Sequence, residues 1–524
     1  MTTHADQKER AGKNLSLWEA TSDGGQLNPL REKTQADICV VGAGIAGLTA
    51  AYTLARNGRS VVVLDDGLIG RGMTGRTTAH IVNALDDRYY ELERLHGEEG
   101  ARLAADSHTA AIDFIERVAR EENVDCQFER LDGYLFEPPN EPAKNLRQEY
   151  EACLRAGISV EWIARAPIEA FDTGPAIRFR NQAQFHPLHY LRGLANAIER
   201  AGGRIFTATR VLDVKGGEAA HVTTQEGHTV RAGSVVVATN TPINDRFVMH
   251  TKQSPYMTYV IGMRIPSGSV PRGLFWDTAQ EAGQEDKAIG MIPYHYVRLA
   301  KEGSDEILIV GGEDHKTGQA DDFEERYQRL EAWTHLRWPT AGEVVFRWSG
   351  QVMEPVDGLG YIGRNPMDKE NVYIATGDSG NGITHGTIAG ILIPDLIKGR
   401  ANAWATVYDP ARKSLRAAGD FAHENLNVAA QYRDFVTGGD VPSADEIKPG
   451  HGAVLRHGLR KVAAYRDDEG VLHEMTAICP HLKCIVHWNG NEKTWDCPCH
   501  GSRFDCRGHL MNGPSVSDLA PVNG

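Results

Sequence analysis

The sequence predicts an α/β domain that carries an antiparallel sheet, followed by a small all-β domain, and three observations predict it. Residues 37–44 (DICVVGAG) form an apolar strand running into a glycine turn, and IAGLTAAYTLARNG followed by SVVVLDDG completes a β-α-β unit. Residues 255–313 are strand-rich, with YVIGMRI, YHYVRLA and EILIVGG as separate runs. Residues 446–524 hold short strands between turns (AVLRHG, KVAAYRDDEG, VLHEMTAI) and five of the chain's eight cysteines.

Bulk composition bounds the function. A chain of 524 residues should fold as two or three domains with ample core. Fifty-six basic against 70 acidic residues leave a net charge of −14, which repels nucleic acid and anionic lipid. The start, MTTHADQKER, lacks the apolar stretch of a signal peptide, and no run of about 18 apolar residues spans a membrane. A cytoplasmic location is expected.

Taken in order, residues 1–35 read as a poorly ordered leader that folds back around Leu17 and Trp18. A helix is predicted over 98–123, another over 185–201, and strands over 204–237. The 255–313 strands are expected to form a sheet over a substrate cavity, interrupted at 279–292 by an inserted loop that is either a lid or an exposed turn. Residues 372–377 repeat the strand-to-glycine pattern ahead of a helix over 384–398. Residues 401–445 read as a connector with one helix (ENLNVAAQYRDFV) starting near ENLN, and 446–524 as the all-β domain. Within 36–400, the dinucleotide-binding part is assigned to 36–84, 185–240 and 346–400, and the substrate part to 85–184 and 241–345.

Two sites follow from spacing. Gly42, Gly44 and Gly47 spell G-x-G-x-x-G between strand and helix, so Gly42-Ala43-Gly44-Ile45-Ala46-Gly47 is a Rossmann-like turn that faces a pyrophosphate with a helix N-terminus. Asp65, with Asp66 beside it, ends the second strand where a carboxylate accepts ribose hydroxyls. Near the C-terminus Cys479, His481, Cys497 and His500 spell C-x-H-x15-C-x2-H, the ligand spacing of a Rieske [2Fe–2S] centre. Two thiolates then hold one iron and two imidazoles the other, a centre that moves single electrons. Zinc fits this order of ligands poorly, and Cys506 is left over as a small core residue. No Asp-x2-His-x4-His stretch occurs, so a Rieske oxygenase is not expected.

The first domain resembles the D-amino-acid, glycine and sarcosine oxidase superfamily over residues 36–400. The likeness rests on GMTGRTTAH at 72–80, on Arg210-Val211-Leu212 with VVVATN at 235–240, and on ATGDSGNGIT at 375–384. It implies non-covalent FAD contacted by Thr74, Arg76, Thr77, Thr78, Ala79, Val211, Gly377, Gly382, Ile383 and Thr384. Val352 and Met353 stand where relatives often carry an Arg-Pro pair, so the guanidinium that clamps a substrate carboxylate is missing and a simple α-amino acid is disfavoured. His80 is expected to support the site without bonding flavin. No second G-x-G-x-x-G follows a strand (Val310-Gly311-Gly312-Glu313 lacks the pattern), which argues against nicotinamide chemistry.

The second domain resembles the Rieske domains of cytochrome bc complexes. That likeness implies a disulfide between Cys484 and Cys499, a Ser502 hydroxyl bonded to a bridging sulfide, and a covering loop at Gly513-Pro514. Phe504 replaces a tyrosine of the high-potential members, which places the expected potential in the middle of the roughly −150 to +300 mV range.

Tyr256, Tyr259, Trp276, Tyr294, Tyr296 and Arg298 fall on the cavity strands, and alternation puts Tyr294, Tyr296 and Arg298 on one face with His295 on the other. Tyr256, Tyr294, Tyr296 and Arg298 are the candidate catalytic residues. The whole chain resembles bacterial flavin oxidoreductases fused to a Rieske domain. That implies oxidation of a small amine, amino-acid derivative or hydroxy compound, with electrons passing from FADH2 through the cluster to a ferredoxin, cytochrome or quinone, the histidine ligands forming a solvent-facing exit. The alternatives are a flavin reductase fed by ferredoxin through the cluster, and a non-catalytic redox sensor.

Overall fold

The computed structural model describes residues 12–137, 144–244, 247–278, 294–458 and 460–522. The segment 279–292, read above as a lid or turn, and residues 1–11 of the leader lie outside the described residues.

The glycine turn belongs to an eight-stranded sheet. Thr34–Val41 runs parallel between Val61–Leu64 and Thr229–Val237, with Arg204–Phe206 beyond the first. Val372–Thr376 and the antiparallel Tyr361–Arg364 lie beyond the second, and a hairpin of Val211–Lys215 and His221–Thr224 also pairs on Thr229–Val237. The second half of the central strand is apolar because both its faces are buried: Ile38 and Val40 enter one core, Cys39 and Val41 the other. Helices Ile45–Arg56, Pro187–Arg200 and Gly382–Ile397 cover the first face. Gly390 lets two of them approach closely, since a Cβ there would collide with Thr49.

A nine-stranded sheet joins the strands of the middle of the chain. Its order is Val344–Pro355, Gln253–Ile265, Asp305–Lys316, Tyr296–Glu302, Leu274–Asp277, Glu129–Phe136, Ala176–Gln184 and His80–Ile81, with Val160–Ile163 also on Ala176–Gln184. Helix Phe323–Arg337 packs on its outer face. The helix expected over 98–123 ends at Glu121 and is preceded by a shorter helical segment from Tyr89, the two meeting at a kink at Gly97, where φ is +75°.

The C-terminal domain consists of two small antiparallel sheets. His451–His457, Arg460–Arg466 and Leu472–Thr476 form one, and His487–Asn489, Thr494–Asp496, Arg503–Asp505 and Leu510–Asn512 the other. Among the described residues no helix is long and apolar enough to cross a membrane.

Two connecting segments differ from the sequence reading. Residues 12–35 are not a loose leader: Leu17 and Trp18 are fully buried, Ser16 caps Leu17–Ala20, and its hydroxyl donates to Gly75 O at 2.6 Å. The adjacent apolar pair Leu17-Trp18 marked the fold-back expected above, while the ordered cap around it lies in a polar stretch with too little periodicity to announce it. Residues 401–445 do more than connect. Arg412 makes a two-pronged ion pair with buried Asp357 (2.6 and 2.8 Å), and Glu424 takes bonds from Lys316 and Ser254. The connector helix is Ala418–Gln431, so ENLN lies mid-helix and not at its start.

Candidate active site

A cavity of about 450 Å3 is lined by both large sheets and by the C-terminal domain. Of the residues singled out from sequence, Gly42, Gly44, Ile45, Ala46, Asp65, Asp66, Thr74, Arg76, Thr77, Thr78, Val211, Gly377, Gly382 and Ile383 line it. Gly42 has φ +110°, and a Cβ there would strike Ala238 O, so only glycine makes this turn. Asp65 accepts hydrogen bonds from the Ala43 N–H at 2.6 Å and the Gly67 N–H at 2.9 Å, while burial and neighbouring Asp66 push its carboxyl up to about 7. The helices Ile45–Arg56 and Gly382–Ile397 both present their first residues to the cavity. Two helix N-termini over one glycine cradle suit a ligand with a pyrophosphate and an anion-forming ring, and the residues present fit FAD.

Four candidates stand behind that wall. Ala43 is fully buried, Gly47 packs on Gly42 O, Ala79 holds a φ of +63° at zero exposure, and Thr384 bonds His108 Nδ1 at 2.8 Å.

At the substrate end Trp276, Tyr294 and Tyr296 line the cavity, and His295 turns away to stack on Trp333. Three expectations fail here. Arg298 is buried with its guanidinium donating to Thr78 O, Ala79 O and Phe185 O, and burial pulls it down to about 9; it braces the flavin loop. Tyr256 sits against the connector helix, 3.4 Å from Glu424, and Tyr259 packs on His315 and Tyr327. Alternation fixes a face, but position along the strand decides whether a side chain reaches the cavity.

Sequence reasoning missed five carboxylates on the same wall: Asp86, Asp87, Asp314, Glu354 and Asp378. Tyr294 donates to Asp86 at 2.6 Å, Ser379 Oγ lies 3.0 Å from Glu354 and also bonds Asp87, and the Met353 N–H donates to Asp378 at 3.0 Å. Burial pushes all five carboxyls up, Asp87 and Asp314 to about 7 and Asp378 to about 6. They are spread from residue 86 to residue 378, so only the tertiary fold brings them together.

In the C-terminal domain Cys479 and Cys497 share a hydrogen bond, and the Ser502 hydroxyl also bonds Cys479, both favouring the Cys479 thiolate. Cys484 and Cys499 form a disulfide, which leaves Cys497 as the one sulfur of the neighbouring cysteine trio available to a metal. His500 is 5% exposed, its Nδ1 has no hydrogen-bond partner, and burial pulls it down to about 3, the neutral form that ligates metal. Two thiols, a buried neutral imidazole with an open nitrogen, and His481 with its ring centroid 5.1 Å from that of His500 fit a [2Fe–2S] cluster. Phe504 is fully buried, and Cys506 is a buried cysteine outside the disulfide.

The histidine edge does not face solvent, contrary to the expected exit. His250 of the flavin domain lies 4.7 Å from His481 and 5.6 Å from His500, centroid to centroid. The two domains are pinned by a buried ion pair between Arg76 and Glu492 at 3.2 Å, both side chains fully inaccessible, with Ser349 Oγ donating to Glu492 at 2.6 Å. Arg76, placed by sequence at the flavin, thus spends its Nη1 on this interface. Gln351 Nε2 donates to Gly501 O at 2.9 Å, and Arg210 pairs with Asp518 at 3.1 Å. Leu510, Met511, Asn512, Gly513, Ser515 and Val516, the loop that includes Gly513-Pro514, form part of the cavity wall.

The sequence model of the FAD dependent oxidoreductases matches residues 37–396, and that of the Rieske [2Fe-2S] domain matches residues 439–523. The Rieske 2Fe-2S iron-sulfur protein YhfW of Bacillus subtilis is 30% identical over 515 residues, covering 97% of each chain. γ-Glutamylputrescine oxidoreductase of Escherichia coli is 27% identical over 394 residues, 72% of this chain and 86% of its own. Among solved structures, glycine oxidase from Geobacillus kaustophilus superposes with a TM-score of 0.60 at 18% identity, covering 73% of this chain and all of that one, a likeness of fold.

Proposed function

The chain belongs to the family of FAD dependent oxidoreductases and carries a Rieske [2Fe-2S] domain behind it, and from that premise we propose that it is a dehydrogenase of a small organic substrate that delivers electrons one at a time to an external carrier. When bound, FAD supplies a two-electron acceptor for a substrate C–H bond and the cluster a one-electron carrier. A flavin reacts with oxygen without metal, so a built-in cluster favours an acceptor other than oxygen. The substrate is an amine, an amino-acid derivative or a hydroxy compound. The Escherichia coli relative, named for γ-glutamylputrescine, supports the first of these.

One observation carries the reading. Residues of the Rieske domain from Leu510 to Val516 wall the same cavity as the glycine turn, and His250 lies against the cluster histidines from the flavin side. The chain's residues then divide the work. Glycine turn and helix termini seat the dinucleotide. Asp87 and Asp378, held at about 7 and about 6, are placed to take a proton from a substrate ammonium near neutrality. Arg76 and Glu492 hold the domains in register, and His250 keeps water from the cluster histidines.

Anaerobic titration of the holoenzyme with candidate amines tests this. Flavin bleaching accompanied by a Rieske EPR signal is expected. Bleaching that occurs only with reduced ferredoxin reverses the direction of flow, and an EPR-silent protein after complete bleaching rejects the relay.

A further inference from the structure

The cavity's charge is one-sided. Among the described residues three arginines line it, and each of these is already paired with an acid: Arg71 with Glu19 at 3.8 Å, Arg76 with Glu492 at 3.2 Å, and Arg210 with Asp518 at 3.1 Å. None is left to hold a substrate carboxylate, and Val352 sits on the wall where such a clamp is absent. The five carboxylates have no ion-pair partner among the described residues, though burying an unpaired carboxylate is costly.

Four of them accept hydrogen bonds within the protein, Asp86 from Tyr294. Asp87 and Glu354 share the Ser379 hydroxyl, and Asp378 takes the Met353 N–H. Asp314 differs: its Oδ1 has no accessible surface and no hydrogen-bond partner, yet the residue lines the cavity. Its other contact is Thr258, whose Oγ1 lies 2.5 Å from Tyr296 Oη. Tyr296 lies beside Tyr294, ring centroids 5.7 Å apart, and Tyr294 donates to Asp86 at 2.6 Å. Two carboxylates are thus joined through two aromatic rings on the cavity wall, with one carboxylate oxygen left without a partner, an arrangement that suits an alkylammonium group. The carboxylates neutralise it and accept its N–H donors, and the ring faces add cation–π attraction.

We propose that Asp314 and Asp86, with Tyr294 and Tyr296, form a cage that binds a second, non-reacting ammonium group, so that the substrate is an aliphatic diamine or polyamine. This rests on the dehydrogenase reading and names its substrate class. The amine to be oxidised lies toward Asp87 and Asp378, and the far ammonium lies in the cage.

Equilibrium binding to the oxidised holoenzyme, read as perturbation of the flavin absorption spectrum, tests it with three ligands of matched length: 1,4-diaminobutane, n-butylamine and 4-aminobutanoate. The diamine is expected to bind on the order of tenfold tighter than n-butylamine, with 4-aminobutanoate weakest. Asp314→Asn should remove most of the diamine's advantage while changing n-butylamine little. Equal affinity for diamine and monoamine, or preference for 4-aminobutanoate, overturns the cage in the wild-type protein alone, whatever the fate of the variant. Tight diamine binding without cluster reduction would overturn the relay and leave the cage standing. A monoamine that reduces both centres while the diamine binds no better would do the reverse.

Discussion

His250, in the short turn His250–Lys252 that precedes the long strand of the substrate sheet, lies edge-on to His481 of the Rieske domain at 4.7 Å, with an interplanar angle of 78°. It is 2% exposed, and its Nδ1 lies 3.3 Å from Thr241 Oγ1. Thr241 in turn meets Gln253, and Gln253 accepts from Thr376 on the cavity wall, so packed side chains run from the cluster histidines to the flavin site. The Rieske histidines therefore face the flavin domain, and the outward flank of this site is the loop of Leu482 and exposed Lys483 beside the 40%-exposed Tyr432.

Replacing His250 with alanine should separate the two half-reactions. Substrate bleaching of the flavin should keep its rate, while cluster reduction slows by about 10- to 100-fold, the usual effect of losing an outer-shell partner of a metal ligand. Stopped-flow absorbance and freeze-quenched EPR measure the two rates independently. Equal slowing of both would place His250 in the substrate site instead.

The Arg76–Glu492 pair should be a strong point of the domain interface. Glu492→Gln leaves a fully buried guanidinium without its counter-ion, at a cost of about 3–5 kcal/mol. Denaturant unfolding followed at the Rieske domain should show the loss. A change below about 1 kcal/mol would mean that water reaches the pair.

Phe504→Tyr adds a hydroxyl beside the cluster cysteines in a fully buried position. A new donor to an electron-rich centre stabilises the reduced form, so an EPR redox titration should give a higher potential than wild type. An unchanged potential would mean that the hydroxyl points away from the sulfur ligands.

Stability should depend on pH in a direction set by the cavity acids. Asp87 and Asp314 titrate at about 7 in the fold against 3.8 unperturbed, so the unfolded chain releases these protons first. Their contribution is complete below about 3.8 and is lost as pH rises through about 7. The melting temperature of the holoenzyme should fall between pH about 6 and about 8, and 1,4-diaminobutane should reduce that fall by compensating the ionised carboxylates. A melting temperature that rises across this window would show the acids already ionised.

How much of this was legible depended on whether a signal was local. Gly42, Gly44 and Gly47 announce the turn because backbone geometry demands them in one stretch, and the Cys479 to His500 spacing is equally compact. Arg298 misled because alternation reveals a face but not how far along the strand the cavity extends. Arg76 stood in a flavin-contact motif, yet its carboxylate partner lies 416 positions away and no sequence window joins them. The cavity acids and His250 were invisible for the same reason: each is an ordinary residue until the sheets and the second domain bring it into place.

A single-turnover experiment on the anaerobic holoenzyme probes the internal relay most directly. With less than one equivalent of an oxidisable amine, flavin absorbance and the Rieske EPR signal are followed in the same sample without added carrier. The relay predicts flavin bleaching first, then a second change in flavin absorbance, as one of its two electrons leaves for the one-electron cluster, at a rate matching growth of the cluster signal. A flavin that stays fully reduced beside an oxidised cluster, in protein loaded with both centres, would contradict it.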